Sequence, residues 1–168
     1  MFQEQNNGYD HLRKYASGLN HYALVCGLQY ERIYGKEICY MKNITSPLFR
    51  QFPDSMMAWA GPWLVDVKKS ADLLSELYKL DSKAPVVSWI ASTHLLDKLA
   101  IHLASFLNVT LPDDKVALFR FYDPRVLKNL PEILEKEQCE SIVSMVDEWI
   151  YKSEGNCYSL KRKLYETI

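Results

Sequence analysis

Asp66 and Asp123 are the residues whose placement first suggests chemistry. Each closes or follows an apolar, β-prone run, Pro62 to Val67 and Val116 to Tyr122. Carboxylates at the C-terminal ends of strands stand where open α/β sheets bind their ligands. Two of them facing one cleft could hold Mg²⁺ for phosphoryl transfer or metal-assisted hydrolysis. Asp123 also has a purely local reading. It precedes Pro124, and Asp-Pro after a strand is a sound start for a helix, the carboxylate accepting from the first N–H groups. Arg120 and Arg125 bracket this junction. An arginine inside an apolar strand needs a partner. One reading pairs Arg120 with Asp66 across strands. The other turns Arg120 and Arg125 towards a cleft, to bind a carboxylate or a phosphate.

A second distinctive stretch is "AWAGPWLVDV". Gly61 and Pro62 form a turn before a strand, and Trp59 and Trp63 flank it. The indoles read either as core packing around a tight corner or as anchors in a groove that receives a partner segment. His94 and His102 are eight residues apart, about 12 Å along a helix axis, so they do not share a metal. His11 and His21 have no ligand-like neighbours in sequence. No nucleophile elbow, dinucleotide fingerprint or phosphate loop occurs, and the chain has only six glycines. The residues imply no cofactor and no metal.

The elements that must position these side chains can be read from periodicity. Tyr9 to Ala16 predicts a short helix ended by Gly18, after a polar stretch over residues 1–8. "HYALVCG" predicts a buried strand, "LQYERIYG" a short helix and "EICYMKN" a second strand. Ser46 and Pro47 suggest a helix start, with Pro53 breaking that segment into two short helices. "PWLVDV" and "PVVSWIAS" predict strands around a helix capped by Ser70. Leu95, Leu96, Leu99, Leu103, Phe106 and Leu107 form the apolar stripe of the next helix. Val116 to Tyr122 predicts a further strand. The helical stretch after it is interrupted at Pro131, and a later helix turns Ile142, Val143 and Val146 inwards. Strands alternate with helices and are apolar on both faces. The expected fold is a single α/β domain, with α+β as the alternative, built on a mostly parallel or mixed sheet of about five strands. Residues 1–18 are expected to form a tail and short helix, 19–152 the core domain, and 153–168 a C-terminal extension.

Composition sets outer limits. The 168 residues are 48% hydrophobic and 24% charged with a net charge of -1, ordinary for a globular domain and unlike a protein that binds nucleic acid through bulk charge. The eleven tyrosines and four tryptophans suit half-buried binding surfaces. No apolar run approaches a membrane span, and no signal peptide is recognised at the N-terminus. Cys26 and Cys39 read as buried thiols. A cytoplasmic location with reduced cysteines is expected.

The ordered set "AGPWLVDV", "VALFRFYDPRVLKNL" and "MVDEWIY" resembles the family called domain of unknown function 4123, found in bacterial type VI secretion clusters. The similarity runs from about His21 to Tyr151, and its most specific element is "FRFYDPR". The early strand "HYALVCG" also agrees, while "CYMKNITSPLFRQ" departs from the family pattern, and many members carry a further C-terminal lobe. The resemblance implies a non-enzymatic chaperone or adaptor in the cytoplasm of the producing cell. It would bind a secreted toxin effector and help load it onto the spike protein VgrG. On that reading the partner-binding candidates are Trp59, Trp63, Arg120, Tyr122 and Arg125, with Tyr22 and Phe119 as neighbours. Gly61, Pro62, Asp66, Asp123 and Pro124 are structural members of the motifs. The metal-dependent enzyme built on Asp66 and Asp123 is the alternative.

Overall fold

The computed structural model describes residues 7–51 and 54–165. Residues 1–6 and Pro53, and with them most of the expected loose start and the helix break, lie outside the described residues, while Asn7 caps and Gly8 opens the first helix. A six-stranded sheet forms the middle layer. Its strands are β1 (Asn20–Cys26), β2 (Thr45–Pro47), β3 (Pro62–Asp66), β4 (Val87–Ser92), β7 (Glu148–Ser153) and β8 (Asn156–Ser159). A separate hairpin holds β5 (Asn108–Thr110) and β6 (Val116–Leu118). The helices are α1 (Gly8–Tyr15), α2 (Gly27–Tyr34), α3 (Ala71–Lys83), α4 (Leu96–Ala104), α5 (Pro124–Lys128), α6 (Leu130–Ile133), α7 (Lys136–Val143) and α8 (Leu160–Tyr165). A short 3₁₀ segment, Asp54–Ala60, is kinked at Met57.

Period-two alternation divides the strands between two cores. Tyr22, Leu24, Leu64, Ile90, Trp149 and Tyr151 face α4 to α8. Ala23, Val25, Val65, Trp89, Ala91 and Ile150 face α1, α2 and α3. Both faces are therefore covered, as the apolar strands predict. The expected parallel or mixed sheet is corrected: every neighbouring pair in the order β2-β3-β1-β4-β7-β8 is antiparallel. Helices on both faces produce continuous apolar strands whatever the strand direction, so that pattern carries no information on direction. The α3 crossover does join two strands of like direction, β3 and β4, but β1 is inserted antiparallel between them.

Other expectations fail for local reasons. Residues 37–43 are a loop, not a strand. Thr45 Oγ1 donates to the Cys39 carbonyl at 2.8 Å and accepts from Met41 N at 2.7 Å, which curls the segment, buries Ile38 and leaves Cys39 exposed. Ser46 and Pro47 lie in the edge strand β2 instead of opening a helix. Proline is tolerated there because an edge strand has a side that needs no donor. Helix α4 starts at Leu96 and leaves Leu95 exposed, while Leu96, Leu99, Leu103 and Leu107 are buried. α3 starts on the expected cap, Ser70 Oγ accepting from Leu73 N. The segments expected as tail and extension both enter the cores. Tyr9 and Leu12 pack with Trp89, and Leu160 packs with Val143 and Trp149.

His21, at the start of β1, is buried. Its Nε2 lies 2.8 Å from the Ala16 carbonyl and its Nδ1 3.4 Å from Tyr9 Oη, so the neutral ring is satisfied with Nε2 donating and Nδ1 accepting. Burial lowers its pKa below the ordinary 6.5, although the bond to Ala16 opposes the shift. A depressed histidine contributes stability that is complete above the unfolded value and is lost as pH falls through the folded one. Thermal denaturation between about pH 7 and pH 5 should therefore show a falling melting temperature. A flatter profile is expected for His21→Gln, and an unchanged slope in that variant would assign the acid sensitivity elsewhere.

Candidate partner-binding site

The two sequence motifs meet at the end of β1, around Cys26 and Gly27. On one side is the Gly61-Pro62 corner. Gly27 N donates to the Gly61 carbonyl at 2.8 Å, and Leu48 N donates to the Pro62 carbonyl at 2.9 Å. Trp63 is buried among Val25, Val65 and Tyr30, and its Nε1 donates to the Trp59 carbonyl at 3.3 Å. The Phe49 ring packs directly on Gly61. The indoles therefore brace the corner. Trp63 is a core residue, not a docking anchor, while Trp59 is half-buried at its edge.

On the other side is the motif "FRFYDPR". The predicted strand through Tyr122 is shortened: β6 ends at Leu118 because it pairs only with β5. Phe119 N then donates to the Leu107 carbonyl at 2.6 Å, and the chain turns. Phe121 and Tyr122 enter the core, Phe121 meeting Trp149 edge-on with ring centroids 6.3 Å apart. Tyr122 is thus also corrected from surface anchor to core residue, 3% exposed. Burial raises its hydroxyl pKa, the Arg120 charge opposing. Tyr22 is likewise buried, its hydroxyl donating to the His94 carbonyl at 2.8 Å, and Phe119 is half-buried.

Arg120 lies outside any strand and is exposed. The cost that made it conspicuous in sequence is therefore not incurred. Its guanidinium carbon lies 5.7 Å from the centroid of the Tyr122 ring. The expected pair with Asp66 does not form. Asp66 stands opposite Tyr22 at the other end of β1, accepts from Lys68 N at 3.2 Å and lies 3.7 Å from Lys69 Nζ. Asp123 lies at the Cys26 end. Four residues of extended chain separate those ends, roughly 13 Å. Asp66 and Asp123 therefore face no common cleft, and among the described residues no three His, Cys, Asp or Glu side chains gather as a metal site.

Asp123 caps α5 as expected, its Oδ1 accepting from Arg125 N at 2.9 Å. The Arg125 side chain closes on the same carboxylate, Nε at 3.0 Å and Nη2 at 2.7 Å. Burial pushes the Asp123 pKa up, but the bonds from Arg125 outweigh it and hold the carboxyl below its ordinary value. Asp123→Ala should cost about 0.5–2 kcal/mol of stability through the lost cap, with Asp123→Asn retaining part of it. Equal urea midpoints for wild type and Asp123→Ala would contradict that assignment.

Beside "FRFYDPR" at the Cys26 end of β1 is a recess of about 180 Å³. It is lined by Cys26 and Gln29, by the link Ala84 to Val86, and by Arg120, Tyr122, Asp123 and Arg125. Gly27 and Gln29 were not among the candidates read from sequence. The only signal for Gly27 was a glycine ending an apolar strand, and Gln29 offered none.

An antiparallel six-stranded sheet between two helical layers defines a mixed α/β single domain. The chain belongs to the family described as domain of unknown function, DUF4123, whose model matches residues 21–141. That span includes both motifs and ends within α7, so β7, β8 and α8 complete the sheet and core beyond it. No curated protein and no solved structure matches the chain. No helix among the described residues is long and apolar enough to cross a membrane.

Proposed function

We propose that this protein is a non-enzymatic, effector-specific chaperone or adaptor. It binds a type VI secretion toxin effector in the cytoplasm of the producing cell, stabilises it and helps load it onto the VgrG spike. The observation that carries the reading is the division of labour within "FRFYDPR". Phe121 and Tyr122 are buried anchors, and Asp123 and Pro124 build the helix start. Arg120 is left on the surface at the mouth of the recess. Such a segment holds a polar contact point rigidly against the core, which favours recognition of another protein. The resemblance of the motifs to the secretion-associated family supplies the biological setting. The metal-dependent alternative loses its basis, because its two carboxylates sit at opposite ends of β1.

The test is co-expression with the toxin encoded beside it. The toxin is expected to become soluble and to co-purify with this protein, and the pair to retain VgrG on an affinity column. A toxin that is equally soluble alone and never co-purifies would overturn the proposal.

A further inference from the structure

We infer that the recess at the Cys26 end of β1 is a carboxylate subsite, in which Arg120 receives an aspartate or glutamate side chain of the protein partner. The inference rests on the adaptor reading and names the chemistry that reading leaves open. Size is the first argument. About 180 Å³ is below the range of pockets that enclose whole small-molecule ligands, and suits a single inserted side chain.

Charge is the second argument. Three N–H groups of Arg125, one backbone and two guanidinium, converge on the Asp123 carboxylate. The nearby Arg120 charge also helps to hold the Asp123 carboxyl down. Arg120 has no carboxylate within 4.0 Å among the described residues. The recess therefore carries one uncompensated positive charge in a chain whose net charge is -1. One net positive charge is balanced by a carboxylate monoanion, whereas a phosphate dianion would leave an excess negative charge in the recess.

Orientation is the third argument. The Arg120 guanidinium carbon lies over the Tyr122 ring, and Tyr122 is fixed in the core. Arg120 also hydrogen-bonds the Tyr122 hydroxyl, which ties the guanidinium to a core residue, and a guanidinium carries five N–H donors, so further ones remain to meet a carboxylate. Gln29, half-buried and also lining the recess, adds an amide donor.

The direct test of the subsite uses small probes. The ¹⁵N-labelled full chain is titrated with N-acetyl-glutamate methylamide, its glutamine analogue and inorganic phosphate, and the Arg120 Nε–H and Gln29 amide signals are followed. The expected result is a saturable shift with the glutamate probe, on the order of millimolar. The glutamine analogue should produce none, and the response should vanish in Arg120→Ala at an unchanged melting temperature. Arg120→Lys, which keeps the charge but not the fork, should retain a weakened response. Equal responses to glutamate and glutamine probes, a stronger response to phosphate, or silence at both signals would each overturn the subsite. So would undiminished capture of the cognate effector by Arg120→Ala. A silent titration removes this subsite and leaves the adaptor reading standing, whereas failure of the wild-type protein to co-purify with the effector removes the adaptor reading.

Discussion

Phe121→Ala is expected to lower the free energy of unfolding by about 3–5 kcal/mol, while Arg120→Ala, one residue away, leaves it within about 0.5 kcal/mol. Phe121 is 0% exposed and packs against Trp149 and Tyr122. Truncation removes a whole buried ring and leaves a cavity that the surrounding sheet and helices cannot fill. Arg120 is exposed and joins no ion pair within 4.0 Å among the described residues, so its removal costs its solvent-facing contacts with Tyr122 and the Asp123 charge. Urea denaturation of both variants measures the contrast. Similar losses for the two would mean that Arg120 is structural and that the motif has no part reserved for a partner. The same comparison separates a binding defect from a folding defect, since only Phe121→Ala should lose effector through loss of the fold.

The second large effect falls on Gly27. A Cβ at this position would lie 2.0 Å from the Trp59 carbonyl oxygen and 2.8 Å from that of Gly61. Both obstacles are backbone, so no rotamer change relieves them. They also belong to the corner that receives the Gly27 N–H. Gly27→Ala must therefore push the Gly61-Pro62 corner off the end of β1. The expected loss is at the upper end of overpacking costs, about 3 kcal/mol or more. Gly61→Ala makes the informative comparison. Its Cβ would meet the Phe49 ring at 2.5 Å, and a half-buried side chain can move. Gly61→Ala should be the milder of the two, and a reversed order in thermal melts would contradict the described corner.

The contrast between these residues shows what could be read from the sequence. Alternation and apolar runs located β1, β3 and β4, because a strand covered on both faces must be apolar throughout. The same runs could not reveal strand direction, and the insertion of β1 between β3 and β4 leaves no local trace. β7 and β8 were harder still: "WIYK" and "NCYS" are short and mixed in character, and they become strands by pairing with β4 and with each other. The helix start at Asp123-Pro124 was legible because capping is local chemistry. The setting of Arg120 was not. Its neighbours Leu118, Phe119, Phe121 and Tyr122 imitate a strand, while the chain in fact turns after Leu118 to send Phe121 inwards. Trp63 and Tyr122 were legible as important, but only tertiary packing decides whether an aromatic side chain faces a core or a partner. The recess joins residues from three separate stretches of chain, and no spacing rule links Gln29 to Arg120.

The most direct measurement is the affinity of the purified protein for its cognate effector, determined by calorimetric titration for wild type and Arg120→Ala, with melting temperatures recorded on the same samples. The account predicts saturable binding by wild type, at least about tenfold weaker binding by the variant, and coincident melting curves. Equal affinities at equal stability, or no binding by wild type, would contradict it.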